Sequence, residues 1–221
     1  MFNNCRNLEE LHIENLVLTS KCGSIYQMFY CCQRLKRLDL NSNWDLSGIS
    51  NSSNTANGIF NNCLSLETIT GITNWKFYFS NTQGLSSTFY NCWSLKELDL
   101  SGWKVDTITS FANMFDGCYS LKEIDVSNWE PTAATTFSGM FRYCVNLKNI
   151  DISAWIAPDC INYSSMFERC NSLISCGNLS NINTSNATTL ASMFAYCYSL
   201  TSLEGLNSWN VQKVTTIANM F

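Results

Sequence analysis

A phenylalanine returns along this chain at near-constant intervals, each time inside the same short pattern. Written as M-F-x-x-C-x-x-L-x-x-[LI]-D-[LVI]-S-x-W, the pattern is clearest from Met114-Phe115-Asp116-Gly117-Cys118 to Trp129. It recurs at Phe2, Phe29, Phe60, Phe89, Phe115, Phe141, Phe167 and Phe194, and Met220-Phe221 opens a further copy. The intervals are 27, 31, 29, 26, 26, 26, 27 and 27 residues. A period of this length means one supersecondary unit per repeat, each burying its apolar face only against its neighbours. Residues 1–221 therefore read as a single solenoid of about eight repeats without an internal domain boundary. Because both ends fall on the repeat pattern and neither has a polar cap, a longer parent array is expected.

Within one repeat, Ile108, Phe111, Met114, Phe115 and Cys118 fall at i, i+3, i+6, i+7 and i+10, the spacing of one helix face. The same face returns as Phe137/Met140/Phe141/Cys144 and Tyr163/Met166/Phe167/Cys170. A helix of two to three turns is predicted, with Thr107, Ser110, Thr136 and Thr189 as N-caps. After Cys118 the period becomes two: Ile124 and Val126 point one way, Glu123, Asp125 and Ser127 the other, which predicts a short strand. The expected fold is an α/β repeat solenoid with one short parallel strand and one short helix per 26–31-residue repeat. The insertions after Trp44, including Asn51-Ser52-Ser53-Asn54, and after Trp75 are expected to be edge loops.

Only 14% of the residues are charged and the net charge is -4, which disfavours a phosphate backbone as partner and argues against nucleic acid. No membrane span or signal peptide is legible in this segment.

Eight of the twelve cysteines (Cys5, Cys32, Cys63, Cys92, Cys118, Cys144, Cys170, Cys197) share one position on the apolar face. Cysteine there acts as a small buried hydrophobe, and side chains at equivalent positions run parallel rather than converging as a disulfide requires. A ladder of free thiols is expected, leaving Cys22, Cys31, Cys160 and Cys176 with redox state open. With His12 the single histidine and no C-x-x-C, neither a zinc site nor a Cys/His nucleophile is supported, so the segment reads as non-enzymatic and without cofactor.

Two outward rows are candidates for binding. The first is Glu97, Asp99, Ser101, Glu123, Asp125, Ser127, Asp151 and Ser153 on the strand face. Its stacked carboxylates are either compensated by the serines, turn amides and Lys96, Lys122 and Lys148, or they bind Ca²⁺ or a cationic partner. The second is an aromatic ladder, Trp103, Trp129 and Trp155, which either packs between repeats or presents indoles to a glycan or protein. Asn-x-Ser/Thr sequences at Asn51, Asn162, Asn178, Asn183 and Asn186 are glycosylation sites only in a eukaryotic secreted chain; in an Asn-rich bacterial protein they arise by chance.

The motif Met-Phe-x-x-Cys-x-Ser-Leu-x-x-Leu-Asp-Leu-Ser-x-Trp resembles the BspA-like leucine-rich repeat, the 26-residue repeat of bacterial surface proteins and mycoplasma-type lipoproteins. The likeness is carried by Met114-Phe115, Cys118, Leu121, Asp125, Ser127, Trp129 and their equivalents. It implies a cell-surface or secreted array that binds host or matrix proteins or glycans. A passive spacer, or the targeting array of a larger secreted enzyme, are the competing roles. The chain departs from the pattern at Cys176 and Ile182, which leaves the seventh repeat in question as a regular rung.

Overall fold

The computed structural model describes residues 1–46, 49, 56–75 and 84–221. The Asn51-Ser52-Ser53-Asn54 stretch with the Asn51 sequence, and residues 76–83 after Trp75, lie outside the described residues. The repeats stack as parallel rungs. Strands β1 (Arg37–Asp39) and β2 (Thr68–Thr70) pair in parallel with Leu38 opposite Ile69. Isolated parallel bridges extend the strand face at His12↔Asp39, Asn149↔Ser175 and Asn178↔Glu204. A second line, Ser110↔Thr136↔Asn162↔Thr189↔Thr216, joins successive rungs elsewhere on the coil.

The predicted helix is replaced by a coil of successive tight turns, and no α-helix occurs among the described residues. The reason is spacing. The repeat phenylalanines stack face to face, with ring centres 5.3 Å apart at Phe89–Phe115 and Phe115–Phe141 and 5.6 Å at Phe167–Phe194. Helices pack about 8–10 Å axis to axis, so rungs this close leave no room for one helix each. The backbone solves this with two left-handed residues per turn, four apart: Asn113 and Gly117, Ser165 and Arg169, Ser192 and Tyr196. These reverse alternate peptide groups. Asn113, Phe115 and Gly117 send their N–H to Ser138, Met140 and Arg142 of the next rung at 2.8–2.9 Å, while Met114 and Cys118 close local turns onto Phe111 and Phe115. A single uninterrupted helix would direct all of these bonds along its own axis. Ser110, Thr136 and Thr189 accept from the amide two residues on, which starts the turn coil rather than a helix; Thr107 Oγ1 has no partner.

The inward positions are as the pattern demands. Ile108, Phe111, Met114, Phe115, Cys118 and Leu121 are fully buried. Cys118 Sγ donates to the Phe89 carbonyl one rung back at 3.2 Å, and Cys144 and Cys170 repeat this toward Phe115 and Phe141. Each such carbonyl already accepts the amide three residues on, so the thiol fills its second lone pair. All twelve cysteines are free thiols. Burial pushes Cys118, Cys144 and Cys170 well above the ordinary thiol value, and Cys160 and Cys176 up to about 11 and about 12.

The tryptophans use the same device. Leu100 O accepts both the Trp103 amide and, at 3.5 Å, Trp129 Nε1 of the following rung; Trp155 Nε1 reaches Val126 O at 3.0 Å. The seventh rung keeps its place despite its departures, because Cys176 and Ile182 remain buried where leucine and tryptophan stand elsewhere. A one-turn 3-10 helix at Leu179–Asn181 occupies its corner.

Thiol reagent should modify Cys5, the one exposed cysteine, rapidly in the native state and all twelve after denaturation without reductant. Far fewer than twelve would show disulfides and remove the ladder. Cys118→Ala should cost about 1–2 kcal/mol in urea unfolding, from lost sulfur packing plus one lost donor; a change near zero would show that neither the packing of the sulfur nor its hydrogen bond contributes.

Candidate strand-face groove

Strand-face residues from six rungs line an open groove of about 1000 Å³. Its walls are two outward rows, Glu97, Glu123, Asn149 and Ser175 along one and Asp99, Asp125, Asp151 and Gly177 along the other. Between them Leu98, Ile124 and Ile150 show a narrow apolar edge, 8%, 7% and 4% exposed. Of the residues expected from sequence on this face, Glu97, Asp99, Glu123, Asp125, Ser127 and Asp151 line the groove. Ser101 and Ser153 do not; they hold the carboxylates. Arg37, Thr68 and Thr70 at the N-terminal end, and Asn149, Ser175 and Gly177 toward the C-terminal end, also line it. Aligning the repeats position by position would have found them, since they occupy the Glu97 and Asp99 columns in other rungs.

The backbone ladder lapses along the middle of the groove. Strands β1 and β2 pair where Trp44 and Trp75 stack 5.5 Å apart. The indoles widen to 6.3 Å at Trp75–Trp103 and 6.5 Å at Trp103–Trp129, beyond the roughly 4.8 Å at which neighbouring strands hydrogen-bond. No backbone hydrogen bond joins 97–100 to 123–126. The alternating burial of strands survives there without their ladder, which corrects the expectation of a regular parallel sheet.

Each aspartate is held by the serine two residues on. Asp125 Oδ1 accepts from the Ser127 amide at 3.0 Å and its hydroxyl at 2.7 Å; Asp99 and Ser101 match this, and the Ser153 amide donates to Asp151 at 2.9 Å. These bonds favour the charged form. The Ser101 amide and then its hydroxyl hold Asp99 below the ordinary aspartate range. The Ser127 hydroxyl and amide do so at Asp125, where repulsion from Asp99 and Asp151 opposes them and loses. Asp151 is lowered likewise by Ser153. The serines and turn amides thus compensate the carboxylate row, whereas Lys96 pairs with Glu67 at 2.5 Å. Among the described residues none of Glu97, Asp99, Glu123, Asp125 and Asp151 enters an ion pair.

Asn162, Asn178 and Asn183 build the same turn, accepting from the amides of Ser164, Ser180 and Ser185 at 2.9 Å. Asn186 instead donates to Pro158 O. Their Asn-x-Ser spacing has a structural cause where chance was the expectation.

Of the two readings of the tryptophan ladder, the burial agrees with packing between repeats: Trp103, Trp129 and Trp155 are 2%, 1% and 0% exposed. Among the described residues no three His, Cys, Asp or Glu side chains converge on a point that would hold a metal ion, and the aspartates stand in a row rather than a shell. No helix among them is long and apolar enough to cross a membrane.

The three turn aspartates make stability depend on pH. Their folded pKa values lie below the unfolded value near 3.8, so their contribution is full above that value and is lost as pH falls through the folded ones. Asp116, raised by burial against the pull of Arg142, has the opposite sign but is a single group. Urea midpoints should be flat from pH 7 to about 5 and fall below about pH 4. Asp99→Asn/Asp125→Asn/Asp151→Asn should flatten that fall; an unchanged acid limb would remove the row from the account.

Two family models match the sequence. The one described as "Mycoplasma protein of unknown function, DUF285" matches residues 54–176 and 164–221, and "BspA type Leucine rich repeat region (6 copies)" matches 1–77. No curated protein matches significantly. Among solved structures the chain is similar to a leucine-rich repeat protein of T. pallidum, at 18% identity over 84% of this chain and 72% of that one, with TM-score 0.44. Leucine-rich repeat proteins of Eubacterium ventriosum and Bacteroides ovatus follow at 18% and 17% identity, over 86% and 73% of this chain, with TM-scores 0.43 and 0.37. The chain spans 43% and 42% of those two. With one model covering well over half its length, the chain belongs to the DUF285 family of mycoplasma proteins, and its N-terminal third carries the BspA-type leucine-rich repeat.

Proposed function

We propose that this array is a cell-surface or secreted recognition module without catalysis of its own, and that it grips a cationic, extended segment of a protein ligand along the strand-face groove. The observation that carries this reading is the groove itself: five carboxylates from three adjacent rungs line it, the three aspartates hydrogen-bonded into fixed positions, and among the described residues none is in an ion pair. Arg37 stands at its N-terminal end but is bonded to Asp39. Ionic rows of this kind set orientation and association rate more than raw affinity, while the apolar edge of Leu98, Ile124 and Ile150 adds contact area. Family membership supports the surface setting. A spacer that merely displays another domain would leave the groove free to vary, and the targeting array of a larger enzyme would bind through it all the same.

The test is binding of the folded array to a panel of matrix proteins and lysine-rich peptides by surface plasmon resonance, across salt and with chelator. Retention should be saturable, indifferent to chelator and weaker at high salt. Asp99→Asn/Asp125→Asn/Asp151→Asn should weaken it about tenfold or more, which is about 1.4 kcal/mol. Asparagine keeps the turn, as Asn178 and Asn183 show in this chain, so loss would be a loss of charge. Unaltered binding by the triple variant sinks the groove reading, and no binding by a well-folded array favours the spacer.

A further inference from the structure

The aromatic surface that the tryptophan ladder does not supply exists elsewhere. On the outer side of the turn coil, Trp93, Tyr119, Tyr143, Arg169, Tyr196 and Tyr198 form a continuous strip running from the fourth rung to the eighth. Trp93 and Tyr119 lie 5.9 Å apart between ring centres, and Tyr119 and Tyr143 6.2 Å. The Arg169 guanidinium bridges the next gap, 5.4 Å from the centre of Tyr143 and 4.3 Å from that of Tyr196, and Tyr198 follows 6.2 Å on. At one rung per step the strip is roughly 20 Å long. Trp93, Tyr196 and Tyr198 are 43%, 47% and 74% exposed.

We propose that this strip is a second binding surface, independent of the groove, and that its ligand is a neutral polysaccharide chain. Three observations select that occupant. First, aromatic rings stand on four of the strip's five rungs, with Arg169 in the seventh and neighbouring rings tilted or edge-on to one another, so a polymer of repeating rings meets an aromatic group at nearly every step, its weakly positive C–H groups against the exposed rings of Trp93, Tyr196 and Tyr198. Second, among the described residues none of the hydroxyls of Tyr119, Tyr143, Tyr196 and Tyr198 has a hydrogen-bond partner, which leaves donors and acceptors beside each ring for the hydroxyl rim of a sugar. Third, the strip carries no net charge. Arg142 is locked to Asp116 at 2.9 Å through Nε, and Arg169 faces Glu168 at 3.9 Å. An anionic polymer finds no unmatched cation here, and a cationic peptide is better served by the groove on the strand face.

Affinity electrophoresis of the folded chain in gels containing hydroxyethylcellulose, laminarin, dextran or galactomannan, with heparin gels beside them, tests this directly. Retardation is expected by at least one neutral polysaccharide and not by heparin. That polysaccharide should also shift tryptophan emission through Trp93, because Trp103, Trp129 and Trp155 are buried. Tyr196→Ala/Tyr198→Ala, at exposed positions outside the core, should reduce retardation at least tenfold, and Tyr196→Phe/Tyr198→Phe, which keeps the rings and loses the hydroxyls, should fall between that variant and the parent. The proposal is overturned by retardation in none of the neutral gels, by retardation in heparin alone, or by an alanine variant as strongly retained as the parent. A matrix protein whose binding is lost in the alanine variant, without any polysaccharide binding, would also overturn it and assign the strip to protein.

Discussion

Stacking at slightly more than 5 Å governs everything else in this chain. Flat phenyl rings from successive repeats fix the rungs on the turn side at that distance, and every backbone choice there follows. A helix per repeat is excluded by width. Reversed peptide groups, which demand left-handed residues at non-glycine positions such as Asn91, Tyr143 and Arg169, are tolerated because they turn alternate amides toward the next rung. Each such residue costs of order 1 kcal/mol or more, offset by hydrogen bonds that a solenoid must make somewhere.

The repeat cysteine and tryptophan are then two answers to one problem. A turn carbonyl that accepts its local amide has a lone pair left over in a dry interior. Thiol hydrogens supply the missing donor along the phenylalanine side, and indole N–H groups along the strand side. The indole is the larger ring, and its stack is wider in the middle of the array. There the strand ladder opens, and there the carboxylates of the groove lie. Packing inside the solenoid and the shape of its outer face are therefore coupled through a single spacing.

The burial pattern was legible from residues alone. Ile108, Phe111, Met114, Phe115 and Cys118 are inward as their spacing predicts, yet the element is not a helix, because i, i+3, i+4 is also the inward period of consecutive tight turns. Periodicity reports which side chains face the core and not how the backbone between them is bonded. The acidic row was legible for the same reason, but its compensation by Asp-x-Ser turns was one of two alternatives that the residues left open. Trp103, Trp129 and Trp155 were ambiguous, since one indole per repeat fits a surface ladder and a buried stack alike. The exposed strip was invisible: Trp93, Tyr119 and Tyr198 share one column of the repeat and Tyr143, Arg169 and Tyr196 another, so no single column is aromatic throughout.

Sequence by itself determined that this chain is a one-dimensional stack, which residues its rungs bury, that its cysteines form a ladder, and which family it resembles, because each of these follows from a period and a residue type. Tertiary structure decided the rest: turn coil over helix, buried indoles over exposed ones, an open groove over a closed sheet. Those depend on the distance between rungs, a property of neighbouring repeats packed together that no single repeat encodes.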